Sequence, residues 1–182
     1  MKFPTPHRPA RRNAQDGLAT FGALALSARM KRLSDAMVHD ARNLYQELGI
    51  DIEPNWYLLF MLLEKHGQMS VTEMANAIGW AHPSVVKQVK HLLQLGLLEG
   101  EGDPADQRVR LLRLSALGRA RSKEAMPVWE ASRRALEELI QECGIDLMSG
   151  LDALDAALAR RTYGERTLSK LSRRSRHGRN TP

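Results

Sequence analysis

Between His82 and Gln94 the sequence HPSVVKQVKHLLQ places Val85, Val89 and Leu92 on one stripe at helical spacing. Pro83, Lys87, Lys90 and Gln94 then fall on the opposite face, with Ser84, Val86 and His91 on its flanks. Ammonium donors, a hydroxyl and aliphatic methyls on one compact helix can address the major groove of a duplex. Lys87 suits guanine acceptors, Ser84 a base edge or a phosphate, and Val86 a thymine methyl. Ser84, Val86, Lys87 and Lys90 are therefore the candidate major-groove set, and His82 and His91 are candidate phosphate donors, which position a helix without specifying sequence. A solvated face on an ordinary helix is the other reading of the same residues.

A second group of charges follows. Asp103-Pro104-Ala105-Asp106-Gln107-Arg108 leads into Arg110 and Arg113. Arg108 is a candidate for insertion into a minor groove, where the negative potential is enhanced, with Asp106 supporting its stem. Arg110 and Arg113 are candidate phosphate contacts. A turn stapled by a surface ion pair is the plainer alternative, although such pairs stabilise little.

Other chemistry is thinly supplied. His7, His39, His66, His82, His91 and His177 show no metal-ligand spacing, and Cys143 has no Cys or His close in sequence, so neither a metal nor a cofactor is expected. Acid/base or nucleophile pairings in a recognisable catalytic motif are lacking, so no enzyme activity is expected. The lone cysteine cannot form an intramolecular disulfide, which fits a reducing, cytoplasmic setting.

The elements that must hold these groups follow from periodicity and punctuation. Residues 1–14 lack periodicity and read as a disordered basic arm. Residues 15–49 carry Leu18, Phe21, Ala25, Ala28, Leu33 and Met37 at helical spacing, predicting one long helix that Gly49 closes. Its length exceeds what a small core can cover, which predicts an N-terminal dimerisation helix. The stretch ALALSA within it resembles a secretory cleavage site, but Asp16 and the continuing amphipathic pattern argue against a signal peptide. No apolar run is long enough for a membrane span.

Residues 50–118 follow. Pro54 opens a helix with the nearly continuous apolar run Trp56 to Leu63, and Ser70-Val71-Thr72-Glu73 has the form of a capping box. Its short helix ends at Gly79, a turn follows, and His82-Pro83 start the helix described above, giving a helix-turn-helix. Leu97 to Gly100 and Val109 to Leu114 predict a β-hairpin, the wing. Residues 119–160 predict two further dimerisation helices, bent at Pro127, broken at Gly144 and striped by Leu147, Leu151, Leu154 and Leu158. Residues 161–182 read as a basic tail, helical to about Leu171 and disordered beyond. The expected fold class is mainly α with a small β-hairpin wing, a winged helix-turn-helix flanked by long dimerisation helices.

Charge is uneven. The formal net charge is +6. From Arg160 onward eight basic residues face only Glu165, and Lys2, Arg8, Arg11 and Arg12 face only Asp16, which leaves residues 17–159 mildly acidic. A polyanionic partner is implied, with its footprint in local clusters.

The segment from Trp56 through Gly118 resembles the MarR family of bacterial winged-helix regulators. SVTEMANAIGWAHPSVVKQVKHLLQLGLLEGEGDPADQRVRLLRLSALGRA carries a helix-turn-helix, a glycine-Leu-Leu entry to the wing, a D-x-R wing tip and a closing L-[ST]-x-x-G. LYQELGIDIEPNWYLLFMLLEKHG is similar to a subgroup often fused to a GNAT-type acetyltransferase, a domain for which no motif follows here. The resemblance implies a homodimeric regulator of transcription, a repressor in expectation, on a pseudo-palindromic operator. It places Ser84, Val86, Lys87 and Lys90 in the major groove and Arg108 in the minor groove. It also implies a small-molecule effector pocket, for which Trp56, Tyr57 and Trp80 are candidates, although core packing explains the same aromatics. Ala81 stands where a hydroxyl often caps the recognition helix, Gln107 where arginine is frequent, and Ser115 where threonine is commoner. Three other readings stay open: an effector-binding or protein-interaction module of the same fold with weak or non-specific DNA binding, an acetyltransferase subunit or remnant, and a nucleoid-type binder driven by the tail.

Overall fold

The structure, a computed structural model, describes residues 17–102 and 110–177, with side chains as far as Leu171. The described residues up to Pro127 and those from Val128 onward form two compact units.

The first unit opens with a 3-10 stretch, Gly17–Ala25, and helix α1, Leu26–Leu48. Periodicity predicts one continuous helix here; the structure interrupts it at Gly22, whose φ of 53° only glycine adopts readily. At the other end Gly49 takes φ 68°, and the N–H groups of Gly49 and Ile50 donate to the carbonyls of Gln46 and Tyr45. These bonds satisfy carbonyls that a helix end otherwise leaves bare.

A single 3-10 turn, Pro54–Trp56, leads into α2, Tyr57–His66. Its apolar run is central, as expected: Leu59, Phe60 and Leu63 are buried. Burying each such side chain contributes about 1.5–3 kcal/mol relative to exposure. Met74 of α3 (Val71–Ile78) and Val85, Val89 and Leu92 of α4 (His82–Gln94) close on the same core.

Strand β1, Leu98–Gly102, pairs antiparallel with β2, Arg110–Leu114, in the register Leu98 opposite Leu114 and Glu99 opposite Arg113. Leu112 and Leu114 point inward and are buried, while Leu112 also exchanges two 2.9 Å backbone bonds with Met69. Met69 thus tacks the α2–α3 connection onto the hairpin. Helix α5, Ala116–Glu142, starts where the hairpin ends and runs through Pro127. Gly118, in its first turn, lies so close to the residue before β1 that an added Cβ would sit 2.1 Å from the Leu97 carbonyl oxygen.

The second unit carries α6, Leu147–Arg160, and α7, Tyr163–His177. The side chain of Asp146 caps α6 by accepting from the Ser149 N–H at 3.1 Å. Hydrogen bonds from the Ser149 side chain first, and from its N–H second, hold the Asp146 carboxyl below its usual range. Composition predicts a fraying helix to about Leu171 and disorder beyond; α7 instead runs to His177. The fold is mainly α with one two-stranded hairpin. Among the described residues no helix is long and apolar enough to cross a membrane.

Candidate nucleic-acid interface

The helix pair α3–α4 is punctuated by backbone chemistry that the sequence encodes. Ser70 Oγ accepts from the Glu73 N–H at 3.2 Å, and Glu73 Oε2 accepts from the Ser70 N–H at 2.7 Å, completing the expected capping box. Gly79 ends α3 in the left-handed region at φ 67°. Ala81 then takes an extended conformation as the N-cap of α4 and offers no side-chain bond. The start of α4 is therefore held by Pro83, whose fixed φ suits a first turn.

Packing decides which face of α4 is available. Val85 and Leu92 are fully buried and Val89 nearly so. Ser84, Val86, Lys87 and Lys90 are exposed. Val86 is 41% exposed, an apolar side chain held outside the core among cations. Beyond Gln94 the N–H groups of Gly96 and Leu97 donate to the carbonyls of Leu93 and Leu92, a Schellman closure that turns the chain directly into β1. Ser115 ties both ends of the hairpin together. Its hydroxyl donates to the Gly96 carbonyl at 2.5 Å and accepts from the Gly118 N–H at 3.0 Å.

The hairpin changes the reading of Arg113. Its Nε donates to Glu99 Oε1 and its Nη2 to Glu101 Oε1, both at 2.8 Å. The hydrogen bond to Glu99, with the charge of Glu101, raises the guanidinium above its ordinary value. Arg113 is therefore engaged by two carboxylates across the strand pair, which makes it a brace of the hairpin. Arg110 is exposed and donates to the Gly100 carbonyl at 3.4 Å. Asp106 and Arg108 lie outside the described residues.

The candidate pocket aromatics are placed apart from one another. A cleft of about 340 Å³ is lined by Arg42, Tyr45, Glu53, Trp56, His91 and Arg121, with Leu95, Leu97 and Leu117. Trp56 belongs to it. Tyr57 and Trp80 are not among its lining residues; Tyr57 faces outward at 43% exposure and Trp80 sits in the turn before α4. The reason is helical geometry: Tyr57, adjacent to Trp56 in the chain, projects about 100° around the helix from it. Two ion pairs that sequence reading missed cross the cleft, Arg42 Nη2 to Glu53 Oε2 at 3.0 Å and Arg121 Nη2 to Asp51 Oδ2 at 3.4 Å. No short-range signal marks them, because Arg121 and Asp51 are seventy positions apart.

His91 is placed differently from a simple phosphate donor. Its ring stands 5.4 Å from that of Trp56, tilted by 50°. Both residues also line a second cleft of about 450 Å³ with Ser84, Lys87 and Gln88. His82 is exposed in the first turn of α4. Among the described residues no cluster of three or more His, Cys, Asp or Glu side chains is arranged to hold a metal ion.

Residues 50–109 match the model of the MarR family. No curated protein matches the chain in sequence. Among solved structures, the chain is similar to a DNA complex of MepR from S. aureus, at 18% identity and a TM-score of 0.58, over 71% of this chain and 97% of that one. It is also similar to the transcriptional repressor CouR bound to a 23-mer DNA duplex, at 24% identity and a TM-score of 0.56, over 76% and 96%. A third is the adhesin competence repressor AdcR from Streptococcus pyogenes, at 20% identity and 0.54, over 74% and 96%. The fold is the winged helix-turn-helix of MarR-type structures.

Proposed function

We propose, from the premise that residues 50–109 are a MarR-family segment in a MarR-type winged-helix fold, that this chain is a sequence-specific DNA-binding regulator of transcription. The observation that carries the reading is the face of α4. With Val85, Val89 and Leu92 committed to the core, Ser84, Val86, Lys87 and Lys90 are left exposed on α4. Their hydroxyl, methyls and ammonium groups match what a major groove offers. His82 and Arg110 serve as phosphate donors beside them, and His91 does so from the flank of α4. Arg108, steadied by Asp106, enters the minor groove in this reading.

The regulator acts as a homodimer on a pseudo-palindromic operator and represses. Leu26, Met30, Leu33, Met37, Leu44 and Leu48 recur along α1 at intervals of three, four and seven residues and are all exposed. An apolar stripe of that length favours burial against another copy. Two copies would present two α4 helices about one helical turn of DNA apart. The cleft lined by Trp56, Arg42 and Arg121 would take a small-molecule effector, and its shared wall with α4 supports that assignment.

Selection of the full chain against random duplexes tests the proposal. The expected result is an enriched motif with two-fold symmetry. Equal retention of all sequences would reject it and favour a module of the same fold without operator recognition.

A further inference from the structure

We propose that α7 is a second nucleic-acid element, a basic helix that takes the phosphate backbone of a duplex irrespective of sequence. The proposal rests on the reading of α4 as a duplex reader and extends it to a part of the chain that this reading leaves without a role.

Helix α7 holds Arg166, Lys170, Arg173, Arg174 and Arg176 against Glu165 alone. Positions 166, 170, 173 and 177 recur at intervals of four, three and four, so their backbone sites share one side of the helix. The single carboxylate is already committed. Glu165 Oε2 accepts from the Thr162 N–H at 2.8 Å and its hydroxyl at 2.9 Å, while Thr162 Oγ1 accepts from the Glu165 N–H at 3.2 Å. This is a second capping box, written in the sequence as T-x-x-E. Arg166 donates to the carbonyls of Ala157 at 2.6 Å and Arg161 at 3.0 Å, and Arg161 donates to the Glu165 carbonyl at 3.0 Å. Carbonyls satisfy those guanidinium donors without cancelling their charge. The α6–α7 corner is therefore held by named bonds, and α7 starts from it.

Like charges three and four residues apart repel one another along a helix. Lys170 with Arg173 and Arg174, and Arg173 with Arg176, are such pairs. A polyanion laid beside the helix turns that repulsion into attraction and releases counterions. The alternative occupant, an anionic membrane surface, needs a broad bulky apolar face opposite the cations. Only Leu168 and Leu171 stand there. Phosphate on a duplex fits the charge without requiring that face.

The test compares the full chain with K170Q/R173Q/R174Q, measuring the salt dependence of binding to the selected duplex and to one of scrambled sequence. Each lost phosphate contact lowers the slope of log affinity against log salt by about 0.9. The expected result is a slope reduced by about two to three per protomer, equally on both duplexes, with the selected motif unchanged. The charge-preserving variant K170R/R173K/R174K should keep the parental slope. An unchanged slope in the glutamine variant would overturn the proposal while leaving the α4 reading intact. A reduced slope in a chain that selects no motif would support α7 and reject the α4 reading. Loss of binding only to phosphatidylserine–phosphatidylcholine vesicles, with duplex slopes unaltered, would overturn it in favour of a membrane partner. Loss of slope in the charge-preserving variant would overturn it as well.

Discussion

His91 and Trp56 meet with ring centroids 5.4 Å apart, so the helix that carries Ser84, Val86, Lys87 and Lys90 shares one aromatic contact with the cleft crossed by Arg42 and Arg121. Trp56 is 8% exposed and His91 is exposed, which separates their expected effects. Trp56→Ala should cost about 3–5 kcal/mol in urea unfolding. His91→Ala should change stability by no more than about 0.5 kcal/mol while weakening duplex binding, because it removes a surface group of α4. A destabilisation by His91→Ala as large as that of Trp56→Ala would show the histidine to be core, not interface.

Gly118 is required by contact with the backbone. A methyl there would meet the Leu97 carbonyl oxygen at 2.1 Å, and neither partner is a flexible side chain. Gly118→Ala should therefore destabilise the first unit by about 1–3 kcal/mol or more, read as a lowered thermal midpoint. An unshifted midpoint would mean that β1 and α5 are free to separate.

The α1 stripe gives a direct prediction of assembly. Leu33→Glu with Met37→Glu places two carboxylates in an exposed apolar row that contributes little to the core of one copy. Sedimentation should show a dimer for the parent and a monomer for the variant, each still folded by circular dichroism. A variant dimer of undiminished stability would place the interface elsewhere.

Much of this was legible in one sequence, and the exceptions have physical causes. The stripe Val85, Val89, Leu92 and the Ser70–Glu73 box depend on neighbours within one or two turns, so local spacing specifies them. The clamp of Arg113 by Glu99 and Glu101 depends on strand register, which the residue types alone do not set. The grouping of Trp56 with His91 rather than with Tyr57 and Trp80 is tertiary, joining residues of α4 and of the turn before α2. The Gly22 interruption is invisible to a helical pattern that continues on both sides of it. Thr162 and Glu165 carry a readable capping signature, but the arginine- and serine-rich composition around them reads as a tail.

Acidification should loosen the α6–α7 corner in a defined window. Bonds from Thr162 hold the Glu165 carboxyl below its usual value of 4.5. A carboxyl depressed by folding stabilises the fold above that usual value, and the contribution is lost as pH falls through the lower folded value. The Thr162 and Glu165 amides should thus stay protected from exchange at pH above 4.5 and lose protection below it. Glu165→Gln should weaken this dependence, and an identical pH profile in that variant would refute the assignment.

The central claim is that α4 reads bases, and a cycle between Lys87 and the selected motif tests it most directly. Affinities of the parent and of Lys87→Ala are measured on the selected duplex and on one in which a single motif base pair is exchanged, taking each conserved pair in turn. The account predicts that at one position Lys87→Ala costs about 1–3 kcal/mol on the selected duplex and much less on the exchanged one. Equal losses on both duplexes at every position would contradict it, reducing Lys87 to a backbone contact and α4 to a surface without sequence preference.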